Sequence, residues 1–131
     1  MDRFFKKCRI LLLCFVAYPA LLTADANRDS TSQDERAIGH VLSSYYFDYG
    51  VFPSGNNLDV MHALTGANPH KIVYIQMDRK YIDPKGHFLD AWGTSYRITF
   101  IGPKAVEIRS AGPDKQFGTK DDVVFLQTID P

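Results

Sequence analysis

Apolar residues recur at helical spacing in the segment that begins near residue 32. The apolar stripe consists of Ala37, Ile38, Val41, Leu42, Tyr45, Tyr46 and Tyr49. Intervals of three and four residues place these side chains on one side of an α-helix. Ser32 and Glu35 have the spacing of a capping box, which predicts that the helix begins near Ser32. Gly50 follows the stripe and suits the left-handed residue that ends many helices.

The last third of the chain alternates between apolar and polar residues, as half-buried strands do. The alternation appears in SYRITF (95–100) and AVEIRS (105–110), and IGPK (101–104) joins the two segments as a hairpin. The run VVFLQ (123–127) predicts a further strand. A long helix packed on one face of a small antiparallel sheet of three to four strands is an α+β fold.

The middle of the chain is less regular. LDVMHALTG (58–66) predicts a short second helix that ends near Gly66. KIVYIQM (71–77) fits either a strand or an extended segment that covers the core. In DAWGTSY (90–96), Trp92 and Gly93 predict a tight turn, and Asp90 is placed to cap that turn by accepting hydrogen bonds from its own backbone.

The N-terminal segment has the order of a secretory signal peptide. A basic start precedes the apolar run Ile10–Leu22, and ADA (24–26) is a small-residue cleavage signal. Residues 1–26 are therefore predicted to be an export signal, with residues 27–131 as the mature domain. The alternative is a degenerate membrane anchor, although Pro19 interrupts the run and a spanning helix needs about 20 apolar residues.

Composition removes several function classes. The formal net charge of the chain is zero, so nothing points to a nucleic-acid partner. Both cysteines lie within residues 1–26, so the mature domain would hold no disulfide and no thiolate metal site. The four histidines are scattered, and neither H-E-x-x-H nor G-x-S-x-G occurs. The chain is therefore predicted not to be an enzyme and to have no small-molecule substrate.

The segment SAGPDKQFGTKDDVVF (110–125) concentrates three aspartates in one loop before the last strand. Calcium binds six to eight oxygen atoms, which carboxylates and backbone carbonyls supply. The candidate ligands are the carboxylates of Asp114, Asp121 and Asp122, with the carbonyls of Ala111 and Thr119. The residues alone leave two interpretations: a cation site, or a solvated acidic loop with nearby lysines as counter-charges.

Two of these segments together resemble a known family. LDAWGTSYRI (89–98) followed by RSAGPDKQFGTKDDV (109–123) is similar to the C-terminal half of the major pseudopilin of type II secretion systems. In that family, a D-x-W-G-x-x-Y segment leads into the sheet, and a S-x-G-x-D-x-x-x-G-T-x-D-D-[IV] loop binds calcium. The helix exit YYFDYGVFP also looks like that family's first helix, so the resemblance covers about Glu35–Gln127.

The resemblance implies a pilin-like fold and a non-enzymatic, periplasmic filament subunit that helps to move folded proteins across the outer membrane. Its partners would be other pseudopilin-like subunits or secretion apparatus proteins, and it would contact a membrane only if residues 1–26 are retained. The cofactor would be a calcium ion. Carried over by position, its ligands would be Asp114, Asp121 and Asp122, with the carbonyls of Ala111 and Thr119.

The N-terminus departs from the family pattern, in which a glycine precedes an uninterrupted apolar helix with a glutamate near its start. Two hypotheses follow. The chain is a pseudopilin-like component of type II protein secretion, or it is a soluble exported calcium-binding module with a pseudopilin-type head that does not polymerise. The protein would be exported in either case, periplasmic or secreted, with inner-membrane anchoring on the periplasmic side as the alternative.

Overall fold

A long helix lies against a three-stranded sheet in the computed structural model, which describes the backbone of residues 2–131 and the side chains from residue 25 onward. The helices are α1 (Asp2–Tyr49) and α2 (Asn57–Leu64), with a short 3₁₀ turn at Arg79–Tyr81. The strands are β1 (Arg97–Gly102), β2 (Ala105–Ser110) and β3 (Val123–Thr128). This arrangement confirms the predicted α+β fold with a long helix on a small antiparallel sheet.

The predicted export signal, residues 1–26, falls almost entirely outside the residues whose side chains are described, so it stays a prediction. Among the described residues, no helix is both long and apolar enough to cross a membrane. The predicted capping box is wrong, because α1 runs without interruption through Ser32 and Glu35. The Glu35 side chain is buried against the rest of the fold and does not mark a helix end.

The sheet has the order β1-β2-β3, and each neighbouring pair is antiparallel. Ile108 is the central position, since it lies opposite Ile98 on β1 and opposite Phe125 on β3. The turn between β1 and β2 is shorter than predicted, because the pairing of Gly102 with Ala105 extends β1 beyond Phe100. Both predicted strands of the hairpin and the predicted third strand are confirmed.

The core forms where α1, α2 and the inner face of the sheet meet. Its fully enclosed residues include Ile38, Leu42, Val60, Met61, Leu64, Phe88, Tyr96, Val106 and Ile108. Burial follows the alternation predicted for the strands and the helical stripe predicted for α1, with Ala37 left exposed. Burying such aliphatic and aromatic side chains is the main source of stability for the domain.

The segment 71–77 has no regular secondary structure and lies as an extended cover over the core. The amides of Tyr74 and Ile75 both donate to the carbonyl of Leu64, at 2.9 and 3.2 Å. The side chains of Tyr74, Ile75 and Met77 pack against the buried cluster. Of the two interpretations that the sequence left open for this segment, the extended cover is therefore the correct one.

Candidate functional site

The acidic loop, residues 111–122, connects two paired strands and is closed at its base. Ser110 and Val123 lie opposite each other at the ends of β2 and β3, so the chain leaves and re-enters the sheet at one place. Gly112 has a φ of +71°, and a Cβ there would overlap the carbonyl oxygen of Asp121. Only glycine accommodates both the left-handed backbone and this close approach. The two arms of the loop therefore touch just outside the sheet.

Two of the three aspartates meet at one hydroxyl. Thr119 Oγ1 donates to Asp114 Oδ2 at 2.7 Å and lies 3.4 Å from Asp122 Oδ1. The other oxygen of Asp114 accepts a hydrogen bond from the amide of Gln116 at 2.9 Å. Because two carboxylates repel each other, a shared donor between them favours their approach. The loop thus gathers oxygen atoms of three side chains within a small space.

Asp122 is also held by an ion pair with the sheet. Its Oδ2 accepts from Arg109 Nη1 at 2.8 Å and from the amide of Gly118 at 2.9 Å. Only 3% of its side chain is exposed. This burial acts to raise the pKa of Asp122, but the bonds from Arg109 and from the Gly118 and Thr119 backbone outweigh it, so the pKa lies below its ordinary value. The Asp122 carboxylate is therefore kept ionised and oriented.

Asp121 differs from its neighbour. Its carbonyl oxygen faces Gly112 and lies 3.5 Å from two nitrogens of the Arg28 guanidinium. Its carboxylate takes no part in the contacts among Thr119, Asp114 and Asp122. In the part of the chain that the structure describes, no group of three or more His, Cys, Asp or Glu side chains is placed to hold a metal ion. The five-ligand calcium set accordingly stays a prediction.

The two predicted carbonyl ligands lie at opposite ends of the loop. Ala111 is fully buried at its start, directly after β2. The carbonyl of Thr119 accepts a hydrogen bond from the Asp122 amide at 3.2 Å, which closes a tight turn. A carbonyl oxygen has two lone pairs, so this bond does not prevent a second interaction.

The turn after Phe88 is bonded to the base of the loop. Asp90 Oδ1 accepts from the amides of Trp92 and Thr94 at 3.0 and 2.9 Å, which confirms that Asp90 caps its own turn. Asp90 Oδ2 accepts from Ser110 Oγ at 2.6 Å, and that hydroxyl oxygen accepts from the amide of Gly112 at 3.1 Å. The turn, β2 and the loop therefore form one hydrogen-bonded unit.

Sequence reasoning did not single out Arg109 and did not place Glu35 correctly. Arg109 Nε bonds Glu107 Oε1 at 2.8 Å, and this pair is readable from the sequence because residues i and i+2 share a face of a strand. Its bond to Asp122 needs the β2–β3 register, which a single sequence does not display.

A cavity of about 260 Å³ beside Asp34 and Asp78 lies between α1 and the extended segment, and none of the predicted ligands lines it.

Comparison with known proteins matches a region that includes the turn after Phe88 and the acidic loop. The family model for type II secretion system protein G matches residues 22–127. The crystal structure of the major pseudopilin from the type 2 secretion system of enterohaemorrhagic Escherichia coli matches with a TM-score of 0.51. The two chains are 23% identical, and the match covers 78% of this chain and 84% of the other, which shows a shared fold. No match is found among the curated proteins.

Proposed function

On the premise that the chain belongs to the type II secretion system protein G family, we propose that it is a pseudopilin whose acidic loop binds calcium. The protein is a structural, non-enzymatic component of the secretion system, and its partners are other pseudopilins or apparatus proteins. This membership favours the secretion component over the soluble module as an account of the chain. The calcium ion is the proposed addition.

The observation that carries the calcium proposal is the meeting of Asp114 and Asp122 at the Thr119 hydroxyl. A hydrogen-bonding proton now lies where two negative groups converge, and a divalent cation would neutralise the same pair more completely. The donors are all oxygen, which suits a hard ion. Calcium is favoured over magnesium, because magnesium prefers a small octahedral shell with several waters.

The proposed ligands are the carboxylates of Asp114, Asp121 and Asp122, with the carbonyls of Ala111 and Thr119. Asp122 would bind through Oδ1, since its Oδ2 already accepts from Arg109 and Gly118. Asp121 lies next to Asp122 in the loop, and its side chain would have to turn toward the other two. Calcium accepts variable geometry and ligand number, which makes such an adjustment compatible with binding.

The ion would brace the loop without creating the fold. The sheet and the hydrogen bonds of Asp90 and Ser110 already hold the base of the loop. A ligand that binds only the folded state stabilises it by RT ln(1 + [L]/Kd), about 2.7 kcal/mol at a hundredfold excess over Kd. In the assembled system, the braced loop would present a defined surface to neighbouring subunits on the periplasmic side of the inner membrane.

Thermal denaturation with calcium or with a chelator tests the proposal. We expect calcium to raise the Tm of the wild-type protein and to leave that of Asp114→Asn unchanged. Asp114 is the preferred variant, because replacing Asp122 would also remove the ion pair with Arg109. Asp130→Asn, an exposed position after β3, is the matched control and should keep the full response.

Identical melting of the wild-type protein in calcium and in chelator would contradict the proposed site. The secretion role has a separate test, since a host that lacks this gene should fail to secrete its cargo and should recover with the wild-type gene. If recovery with Asp114→Asn is as complete as with wild type, calcium is not needed for that role. Sequencing the N-terminus of the purified protein decides whether residues 1–26 are retained.

A further inference from the structure

The Glu35 carboxyl group is enclosed where α1 packs against the rest of the domain. Only 1% of its surface is exposed, and its Oε1 has no hydrogen-bond partner among the described residues. An ionised carboxylate in such a place loses its hydrogen bonds to water, and protein groups do not fully replace them. Ionisation therefore costs free energy, and the neutral carboxyl form is favoured. A glutamate on a solvated helix face would not have this property.

The groups around Glu35 act on its pKa in both directions, and burial outweighs those that lower it. The net pKa of Glu35 is raised to about 8, and burial is the largest cause. A hydrogen bond with the backbone of Ser110 and the charge of Arg109 lower that pKa, whereas the charges of Asp90 and Asp34 raise it. The Arg109 guanidinium is also bonded to Glu107 and Asp122 at 2.8 Å each, so its charge is shared with two other carboxylates.

Among the described residues, neither Tyr96 nor strand β3 supplies a cation for Glu35. Tyr96, just before β1, is buried, and its hydroxyl lies 3.3 Å from Asp34 Oδ2. Strand β3, which also packs on α1, carries no titratable side chain over Val123–Thr128. In the part of the chain whose side chains are described, the charges that act on Glu35 are those of the carboxylates of Asp34 and Asp90 and of the Arg109 guanidinium, which is already paired.

The position of Glu35 connects α1 to the acidic loop. Ser110, whose backbone contacts Glu35, donates its hydroxyl to Asp90 and accepts from the amide of Gly112. Gly112 is the residue whose close approach to Asp121 closes the loop. A charge that appeared on Glu35 would thus arise directly beside the hydrogen bonds that hold the loop base.

We propose that Glu35 is a pH-sensitive latch between α1 and the base of the acidic loop. When the Glu35 carboxyl group is protonated and neutral, α1 can pack closely against Ser110 and Asp90. When the proton leaves for solvent, the new charge repels Asp90 and loosens the contact. The latch does not depend on calcium binding, and it adds to the proposed function a response of the loop to the acidity of its compartment.

The sign of the pH effect follows from the raised pKa. The folded state keeps the Glu35 proton at a pH where the unfolded chain has lost it. The contribution to stability is complete below the ordinary glutamate value and is lost as the pH rises to about 8. Between those two pH values, the folded chain holds one proton that the unfolded chain has lost. The folding equilibrium constant should therefore fall about tenfold for each unit by which the pH rises.

Urea denaturation of the full-length chain in chelator, between about pH 5 and about pH 9, tests the latch. The comparison is between wild type, Glu35→Gln and Asp29→Asn, the last an exposed acid on the same helix. We expect wild type and Asp29→Asn to lose stability with rising pH and Glu35→Gln to lack that loss. Parallel curves for wild type and Glu35→Gln would overturn the proposal.

Two measurements on wild type keep the test decisive if Glu35→Gln does not fold. Carboxyl NMR should find one glutamate that titrates far above the ordinary range, and ordinary titration of every glutamate would overturn the latch. Hydrogen-exchange protection of the Gly112 amide should fall as that glutamate ionises. Unchanged protection there would show that the buried acid does not act on the loop, which also overturns the proposal.

Discussion

The Ser110 hydroxyl donates to Asp90 across 2.6 Å, and this buried bond joins strand β2 to the turn that leads into β1. Asp90 is 2% exposed and accepts three hydrogen bonds, from Ser110 and from the amides of Trp92 and Thr94. Charge-assisted bonds of this kind are about twice as strong as neutral ones. The acidic loop therefore begins from a rigid point.

Replacing Asp90 with alanine should destabilise the whole domain. The change leaves the Ser110 hydroxyl and two backbone amides without their acceptor, and buried unsatisfied groups cost about 1–3 kcal/mol each. Because water will partly reach them, we expect a loss of about 2–4 kcal/mol in the free energy of unfolding, measured with urea. The control Asp130→Ala, at an exposed site, should change it by less than about 0.5 kcal/mol. Equal effects of the two substitutions would refute the role assigned to Asp90.

Gly112 and Gly118 allow a matched test of whether the two arms of the acidic loop must touch. Both have positive φ, at +71° and +86°, but only at Gly112 would a Cβ collide with the Asp121 carbonyl. Gly118→Ala should cost about 1 kcal/mol from backbone strain alone. Gly112→Ala carries that strain and also forces the loop arms apart, so we expect a loss of about 2–4 kcal/mol. Chemical denaturation of both variants measures the difference, and similar values would mean that the arms do not need to touch.

Gly39 lets α1 approach the sheet closely. An added Cβ would lie 2.6 Å from Cε1 of Phe125 on β3, so the ring must move. Alanine improves helix propensity by about 1 kcal/mol, whereas overpacking costs about 1–3 kcal/mol. We expect Gly39→Ala to destabilise the wild-type protein and to be neutral or stabilising in a Phe125→Leu background. A loss of the same size in both backgrounds, measured by thermal denaturation, would rule out the proposed clash.

Asp83 should give the domain part of its stability at mildly acidic and neutral pH. Its partial burial opposes ionisation, but bonds from the His87 backbone and ring and from the Lys85 and Gly86 amides lower the pKa of Asp83 to about 2. The contribution is present above the ordinary aspartate value and is lost as the pH falls toward about 2. Asp83→Asn should therefore differ most from wild type near neutral pH and converge with it in acid.

Denaturation curves recorded from neutral pH down to about pH 2 measure this convergence. Asp78→Asn is a useful control. The Asp78 carboxylate accepts one backbone hydrogen bond, from the amide of Lys80 at 3.2 Å in the adjoining 3₁₀ turn. The control should follow the wild-type curve over the acid range. A constant offset between Asp83→Asn and wild type at every pH would show that Asp83 acts only as a neutral turn residue.

Local sequence patterns predicted α2, the three strands and the C-terminal part of α1. The apolar stripe located the C-terminal part of α1, alternation located β1 and β2 to within about two residues, and the apolar run VVFLQ located β3. The Asp90 turn and the composition of the acidic loop were also readable, since both depend on residues close together in the chain. The error at Ser32 and Glu35 came from a local cap pattern that tertiary burial overrode.

What the sequence by itself determined was the C-terminal part of α1, helix α2, the three strands and the acidic loop, because side-chain periods of 3.6 and 2 are local properties of the backbone. Only the tertiary structure decided that Asp122 pairs with Arg109, that Asp121 stays apart from the Thr119 cluster, and that Glu35 is buried beside Ser110. Those relationships join residues far apart in the chain. They are set by strand register and by the distance at which α1 packs on the sheet, and a single sequence displays neither.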